Sequence, residues 1–401
     1  MTIATGVAKQ LRYKVEGTWG TAPGATGAQL LRRVTSDLGL KKQTYASNEI
    51  RSDYQVSDMR HGIRSIEGSI NGELSPGTFK DFIAAALRKA FATTTAMTGL
   101  SITVAGSGPT YTVTRGSGSF VTDGVRAGDI VRLTAGSFNA ANLNKNLLVM
   151  SLTTTELTVR PLNGVALVAE GPIASATVSV PGKRVWTPTS GHLDLSYYIE
   201  HWHSDLSLSE QFAGCKINQI DISLPPTGIA TIGVQFLGKD LTTAGSAYYT
   251  SPTAETTTGV LAAVNGLLAV QGVAVATLTG LNLSIKGNMQ AEPVVGSNTY
   301  ADIGEGRVVV DGQFTALFDG ATLRDYFVNE TEISLFAALA TGTSAAADFV
   351  SFALPRIKVG GADKDDGEKN LIQTFPFVAL YNSAAYPGPE QTTLVVQDSQ
   401  A

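Results

Sequence analysis

The chain has 401 residues with 29 Lys and Arg against 34 Asp and Glu, a formal charge of −5, and is rich in Gly and small side chains. That length gives room for two or three domains with buried cores, and the charge excludes a DNA-gripping surface, which needs clustered excess Lys and Arg. Cys215 is the only cysteine, so no intrachain disulfide is possible and nothing points to secretion.

Taken in chain order, residues 1–10 lack a basic start followed by an apolar run, so no signal peptide is read there. Residues 43–61 form a long polar loop between strands, carrying Glu49, Arg51, Asp53, Asp58 and Arg60. Residues 64–74 alternate: Ile66, Gly68, Ile70, Gly72 and Leu74 share one face, and Ser65, Glu67, Ser69, Asn71 and Glu73 the other. This period of two marks a half-buried antiparallel strand, and it recurs at 217–224, 231–237 and 307–317, where Asp311, Gln313 and Thr315 oppose Val310, Gly312 and Phe314. Two segments have helical spacing instead. Phe79, Phe82, Ile83 and Leu87 mark one face, with Arg88 and Lys89 near the end that favours cations, and Leu323, Tyr326 and Phe327 mark a shorter one. Each opens as Thr-x-x-Asp, at Thr78 and Asp81 and at Thr322 and Asp325, which predicts a capping box. Residues 259–280 are the most apolar, yet Asn265 and Gln271 interrupt them and Asn265-Gly266 predicts a hairpin, so a soluble chain without a membrane span is expected.

The two Thr-x-x-Asp segments stand 244 residues apart, and at that spacing Asp58 also matches Asp302, Gly62 matches Gly306 and Gly68 matches Gly312. A second pair, Ile220-Asp-Ile-Ser-Leu-Pro225 and Val350-Ser-Phe-Ala-Leu-Pro355, stands 130 apart. The drop implies extra chain in the first copy, and the Gly/Thr/Ser-rich stretch 95–181 has its own strand rhythm. The predicted organisation is a mainly β chain: a first unit of residues 1–94 and 182–250, a small β domain inserted at 95–181, and a second unit of residues 251–401. An insert with no counterpart in the second copy is expected to project outward and to be removable. The alternative is chance likeness among β-rich segments.

No constellation carries chemistry. Ala105-Gly-Ser-Gly108 and Arg115-Gly-Ser-Gly118 lack the Lys-Ser/Thr of a phosphate loop and read as hairpin turns. His201 and His203 share a strand face, but Cys215 and His192 match no zinc spacing, so no metal is assigned. The acidic run Asp363-Lys-Asp-Asp-Gly-Glu368 places Gly and Glu wrongly for a calcium loop and reads as a solvated turn. No nucleophile elbow occurs, and no cofactor, catalytic residue or enzyme activity is expected.

Several blocks resemble one family. Val34-Thr-Ser-Asp-Leu-Gly-Leu-Lys41, Ser65-Ile-Glu-Gly-Ser-Ile-Asn-Gly-Glu-Leu-Ser-Pro-Gly-Thr-Phe-Lys-Asp-Phe82, Ile199-Glu-His-Trp-His-Ser-Asp-Leu206, Gly214-Cys-Lys-Ile-Asn-Gln-Ile-Asp-Ile-Ser-Leu-Pro225, Phe352-Ala-Leu-Pro-Arg-Ile-Lys358 and Phe375-Pro-Phe-Val378 are similar to the tail tube (major tail) proteins of long, non-contractile-tailed bacteriophages. The resemblance covers both halves but not the insert. It implies two tandem β-sandwich domains, each flanked by an α-helix, assembling in the host cytoplasm into the virion tail. Neighbouring subunits would complete an inner barrel, and stacked rings would enclose the tape measure protein and later pass DNA without binding it specifically. Tail terminator and distal tail proteins would meet the ends. Glu67, Ser69, Asn71, Glu73, Asp311, Gln313 and Thr315 are then candidates for the channel wall, the alternative being an outer solvent face. The 43–61 loop becomes the ring-stacking candidate through its charges, the alternative being a mobile loop. A duplicated chain implies a trimeric ring with approximate sixfold symmetry, against a hexamer of whole chains. Other readings are a terminator or baseplate-proximal ring protein of the same fold, and a glycan-binding role for residues 95–181.

Overall fold

The computed structural model describes residues 3–366, 368–384 and 388–401. The chain is mainly β, 47% strand against 5% helix, as the alternating patterns require. The first strands are β1 (Lys9–Val15), β2 (Gln29–Leu30), β3 (Thr35–Ser36), β4 (Gly39–Ala46) and β5 (Met59–Glu73), followed by α1 (Lys80–Ala86). Next come β6 (Met97–Ala105), β7 (Tyr111–Arg115), β8 (Ile130–Ala135), β9 (Leu147–Leu152), β10 (Glu156–Pro161) and β11 (Glu170–Ser179). Then follow β12 (Lys183–Trp186), β13 (Tyr197–His203), β14 (Leu208–Leu224), β15 (Thr231–Gly238) and β16 (Asp240–Ala244). The later part holds β17 (Gly266–Val270), β18 (Val273–Ala274), β19 (Leu278–Lys286), β20 (Gln290–Glu292), β21 (Asp302–Gly304) and β22 (Val309–Leu317). After α2 (Thr322–Val328) come β23 (Ile333–Ala340), β24 (Phe349–Val359), β25 (Asp363–Lys364), β26 (Ile372–Ala379) and β27 (Val395–Asp398).

One antiparallel run carries the rest. β4, β5, β15, the second half of β14, β19, β22 and β26 lie side by side in that order. The end of β24 and then β25 flank β26. Among the described residues, β4 pairs only with β5 and β25 only with β26, so both ends of the run are open edges. A second layer is built from β1, β13, the first half of β14 and β16, and again from β17, β23, the first half of β24 and β27. The ladders thus occur twice in the same chain order, with β14 and β24 each passing from one layer into the other.

This order corrects one sequence match. Asp221 pairs with Gly233 beside Asn71, and Asp363 pairs with Thr374 beside Thr315, so Asp221 and Asp363 hold equivalent places. Residues 350–353 instead pair with β23 and β27, in the other layer from 220–224. Strand alternation carries no address, so two apolar strands ending in Leu-Pro can match without being counterparts.

The main core lies behind the run. Ile66, Ile70, Ile220, Ile222, Val234, Phe236, Leu283, Ile285, Val310 and Phe314 are all buried in it. Glycine recurs at 68 and 312 for a steric reason. Gly68 has φ +146°, and a Cβ there would stand 2.7 Å from the carbonyl oxygen of Asp37; a Cβ on Gly312 would collide with the carbonyl of Asn282. Around α1, Phe82 meets Tyr13, Tyr197 and Phe236 with ring centroids 4.8, 5.1 and 5.5 Å apart.

The predicted capping boxes are absent. Neither α1 nor α2 has a side-chain cap. Asp81 instead accepts the Tyr13 hydroxyl at 2.9 Å, and Thr78 bonds Ser75 and Thr256, because tertiary partners outcompete the local backbone. Arg88 lies just past α1 at φ +57° and donates to the carbonyl of Gly306 at 2.7 Å. Residues 259–280 form β17, β18 and the start of β19, and their hairpin turns at Gln271-Gly272, not at Asn265-Gly266. No helix among the described residues is long and apolar enough to cross a membrane. Of the two glycine-rich stretches, 105–108 is the predicted hairpin turn between β6 and β7, whereas 115–118 leads into a longer connection to β8.

Strands β6–β11 close into a six-stranded barrel with its own core. That core does not stop at the barrel wall. Ala269, Phe336, Ala338, Ala340, Phe349, Ala353 and Val395, all from the later part of the chain, are buried with it. On β23, Leu335, Ala337 and Leu339 face the main core while Phe336, Ala338 and Ala340 face the barrel. The join also has polar ties: the Gln397 side chain bonds the backbone N–H and carbonyl of Ile130, and Asn146 donates to the carbonyl of Ala347 at 2.8 Å. The stretch expected to be removable is instead the cover of a buried apolar face.

Candidate functional site

The seven sequence candidates come together on one face of the sheet. Across β5 and β15, Ser69 opposes Gln235, Asn71 opposes Gly233 and Glu73 opposes Thr231. Across β19 and β22, Asp311 opposes Ser284, Gln313 opposes Asn282 and Thr315 opposes Gly280. The second half of β14 joins the two sets, with Asp221 opposite Gly233 on one side and Ser284 on the other. Directly opposed residues share a face, so Glu67, Ser69, Asn71, Glu73, Asp311, Gln313 and Thr315 stand on the side away from the core. An open groove on this side is lined by Asp37, Glu67, Asn71, Asp221, Gln235 and Ser284, among others.

Sequence reasoning missed several members of this face. The Asp221 carboxylate accepts from Gln219 and Gln235, at 2.7 and 3.0 Å, and from the Ser284 hydroxyl. Asp37 accepts from the backbone N–H of Ser69, and this bond holds its carboxyl below the usual carboxylate range. The alternation of 217–224 shows a polar side, but only the register beside Gly233 and Ser284 places that side on this face. Asp311 is not a lone acid, since Lys286 binds it at 2.6 Å. Asp37, Glu67, Glu73, Asp221, Asp311 and Asp363 outnumber Lys41, Lys286 and Lys358 along the face, so its field is acidic.

The 43–61 segment is loop over its middle and strand at both ends. Pairing continues to Tyr45 with Arg60 and Ala46 with Met59, so only residues 47–58 connect the strands and the whole protrudes as a hairpin. Its charges satisfy one another: Arg51 binds Asp53 and Arg60 binds Asp58, each at 2.7 Å, and Ser57 donates to Glu49. The unsatisfied chemistry at its tip is apolar, with Ile50, Tyr54 and Val56 exposed to 102, 99 and 71%. A second hairpin, β20–β21, sits at the matching place between β19 and β22 and exposes Val295 completely.

The histidines serve packing. His201 is buried, bonded to Ser36 at 2.9 Å, and its pKa is pushed down to about 4 by burial, so the ring is neutral. His203 meets Glu210 at 3.4 Å. No metal-binding group of His, Cys, Asp and Glu forms among the described residues. Asp363 and Lys364 of the acidic run form β25 against β26, and Gly367 within that run lies outside the described residues.

An antiparallel chain with a broad polar face, two open sheet edges and exposed apolar hairpin tips belongs to the class of structural proteins made for assembly. The chain belongs to the phage tail tube protein family, whose model matches residues 6–379. It is accordingly a structural protein of the virion tail. No curated protein matches it.

Proposed function

We propose that the chain polymerises as stacked rings into the tail tube, and that the acidic face of its long sheet lines the channel around the tape measure protein and then DNA. The observation that carries this reading is the single face shared by candidates from both halves of the chain. Residues 1–94 with 182–250, and residues 251–401, act as two tandem tube units, each a β-sandwich with a flanking helix. Both expose the same kind of face and the same kind of hairpin. The role is mechanical, without catalysis: short polar side chains and a negative field keep phosphate from sticking. Assembly starts in the host cytoplasm, and terminator and distal tail proteins close the two ends. Negative-stain microscopy of the purified protein tests this directly, with tubes expected and dispersed monomers at high concentration the overturning result.

Two substitution sets probe the parts. Glu67→Lys with Glu73→Lys adds phosphate attraction inside the channel; tubes of normal length with slowed DNA ejection are expected, and unchanged ejection would place these residues elsewhere. Asp311→Lys is a different case, because it removes the Lys286 partner and adds repulsion, costing about 1 kcal/mol of stability as well. Ring stacking is assigned to the hairpins, with Ile50, Tyr54 and Val56 as the contact and Glu49, Arg51, Asp53, Asp58 and Arg60 as its flanks. Replacing the three apolar residues by Ser should give closed rings that do not stack, seen as single rings on the grid. Full-length tubes from that variant would sink the assignment.

A further inference from the structure

The sheet contains its own template for joining two tube units. Inside the chain, Gln219 of β14 opposes Lys286 of β19, Ile220 opposes Ile285 and Asp221 opposes Ser284. Among the described residues, the matching strands at the two ends of the run have no such partner. On one end, Leu40 opposes Ile66 as Ile285 opposes Val310, so β4 is the counterpart of β19. On the other, Lys358 opposes Val378 as Lys216 opposes Leu237, and Asp363 opposes Thr374 as Asp221 opposes Gly233. Residues 358–364 are therefore the counterpart of the second half of β14, lacking its neighbour.

We propose that residues 361–363 of one copy pair antiparallel with β4 of the next copy, with Gly361 opposite Lys41, Ala362 opposite Leu40 and Asp363 opposite Gly39. The register is the internal one carried over strand by strand, and the proposal rests on the tube reading. The partner is a second copy of this chain because its edge alone repeats a contact the chain already makes. Charge agrees: β4 exposes Lys41 and Lys42, while on or beside the other edge the exposed Asp363, Asp365, Asp366 and Glu368 outnumber the exposed Lys364 and Lys369. Lysines on one open edge and a net acidic run on the other also discourage each edge from pairing with its own kind. The pairing starts at Gly39 because the strand is interrupted between β3 and β4. The acidic run that resembled a failed calcium loop thus gains a use as an assembly edge.

The test is a disulfide across the new ladder. Directly opposed residues have Cα atoms about 4.5–5.5 Å apart, within reach of a disulfide. Cys215 is wholly buried, and burial pushes its thiol pKa well up, so it stays silent. Gly39→Cys with Asp363→Cys, assembled and mildly oxidised, should give covalently linked chains on a non-reducing gel. Gly39→Cys with Lys364→Cys, slipped by one residue onto the opposite face, should not. Polymer from the first pair without linkage, or equal linkage in both, overturns the register while leaving the tube reading in place. Absence of polymer even from the unmodified chain overturns both. Should the cysteine variants alone fail to assemble, a charge exchange decides: Lys41→Glu with Lys42→Glu blocks polymerisation, and adding Asp363→Lys, Asp365→Lys and Asp366→Lys restores it. No restoration counts against the interface.

Discussion

Excising residues 95–181 and bridging the gap with a short Gly/Ser linker will cost the protein its soluble fold, although the barrel they form is closed and has a core of its own. The reason lies across the chain, on β23, β24 and β27. Phe336, Phe349, Ala353 and Val395 are no more than 5% exposed, and all of them are buried against the barrel. Uncovering two Phe and a Val forfeits about 1.5–3 kcal/mol each, a sum comparable with the whole stability of a typical domain, about 5–15 kcal/mol. Polar losses add to this. Arg184 binds Asp129 at 2.8 Å with both side chains buried, and removing Asp129 leaves that guanidinium without its carboxylate. The expected result is aggregated protein, read by size-exclusion chromatography and a thermal melt. A companion variant makes the cause testable: the same deletion with Phe336→Thr, Phe349→Thr and Val395→Thr should recover soluble protein. A plain deletion that melts as the full chain does and still polymerises would show the barrel to be decoration after all.

What could be read from the sequence was what repeats locally. The alternation at 64–74 and 307–317 placed Glu67 and Asp311 on solvent faces, because a strand with one buried side writes its orientation into a period of two. The spacing of 244 residues was legible because Gly68 and Gly312 face the same backbone crowding. Contacts between distant segments left no such mark. β23 reads Ile-Ser-Leu-Phe-Ala-Ala-Leu-Ala, nearly apolar throughout, since both of its sides are covered, one by the main core and one by the barrel. That run was the available signal for a covered outer face, and it carries no hint of which segment does the covering. The passage of β14 from one layer to the other was equally hidden, and it misdirected the match between 220–225 and 350–355. In the 43–61 segment the eye takes the charges, whereas the structure neutralises Arg51 and Arg60 locally and leaves Ile50, Tyr54 and Val56 bare.

Ring size is the second large effect, and the sheet makes it a matter of diameter. Each chain supplies eight strand positions to the run: β4, β5, β15, β14, β19, β22, β26 and the β24–β25 edge. If the open edges close on one another, every unit–unit contact around the ring is alike, whether it falls within a chain or between chains. Three copies then give a barrel of about 24 strands. With strands about 4.8 Å apart and tilted by about 40°, its backbone diameter is about 48 Å. Six whole chains in the same arrangement would double both figures, to about 48 strands and about 96 Å. The two outcomes are far enough apart for averaged electron micrographs of end-on rings to separate them. Three chains of 41.9 kDa also make a detached ring of about 126 kDa, which native mass measurement resolves from twice that value. The trimer is the expected result, with true threefold and approximate sixfold symmetry. The approximation should be visible at the outer wall: the barrel of β6–β11 occurs once per chain, so three protrusions, not six, should surround the channel. Six equal protrusions, or a ring mass of six chains, would overturn the trimer.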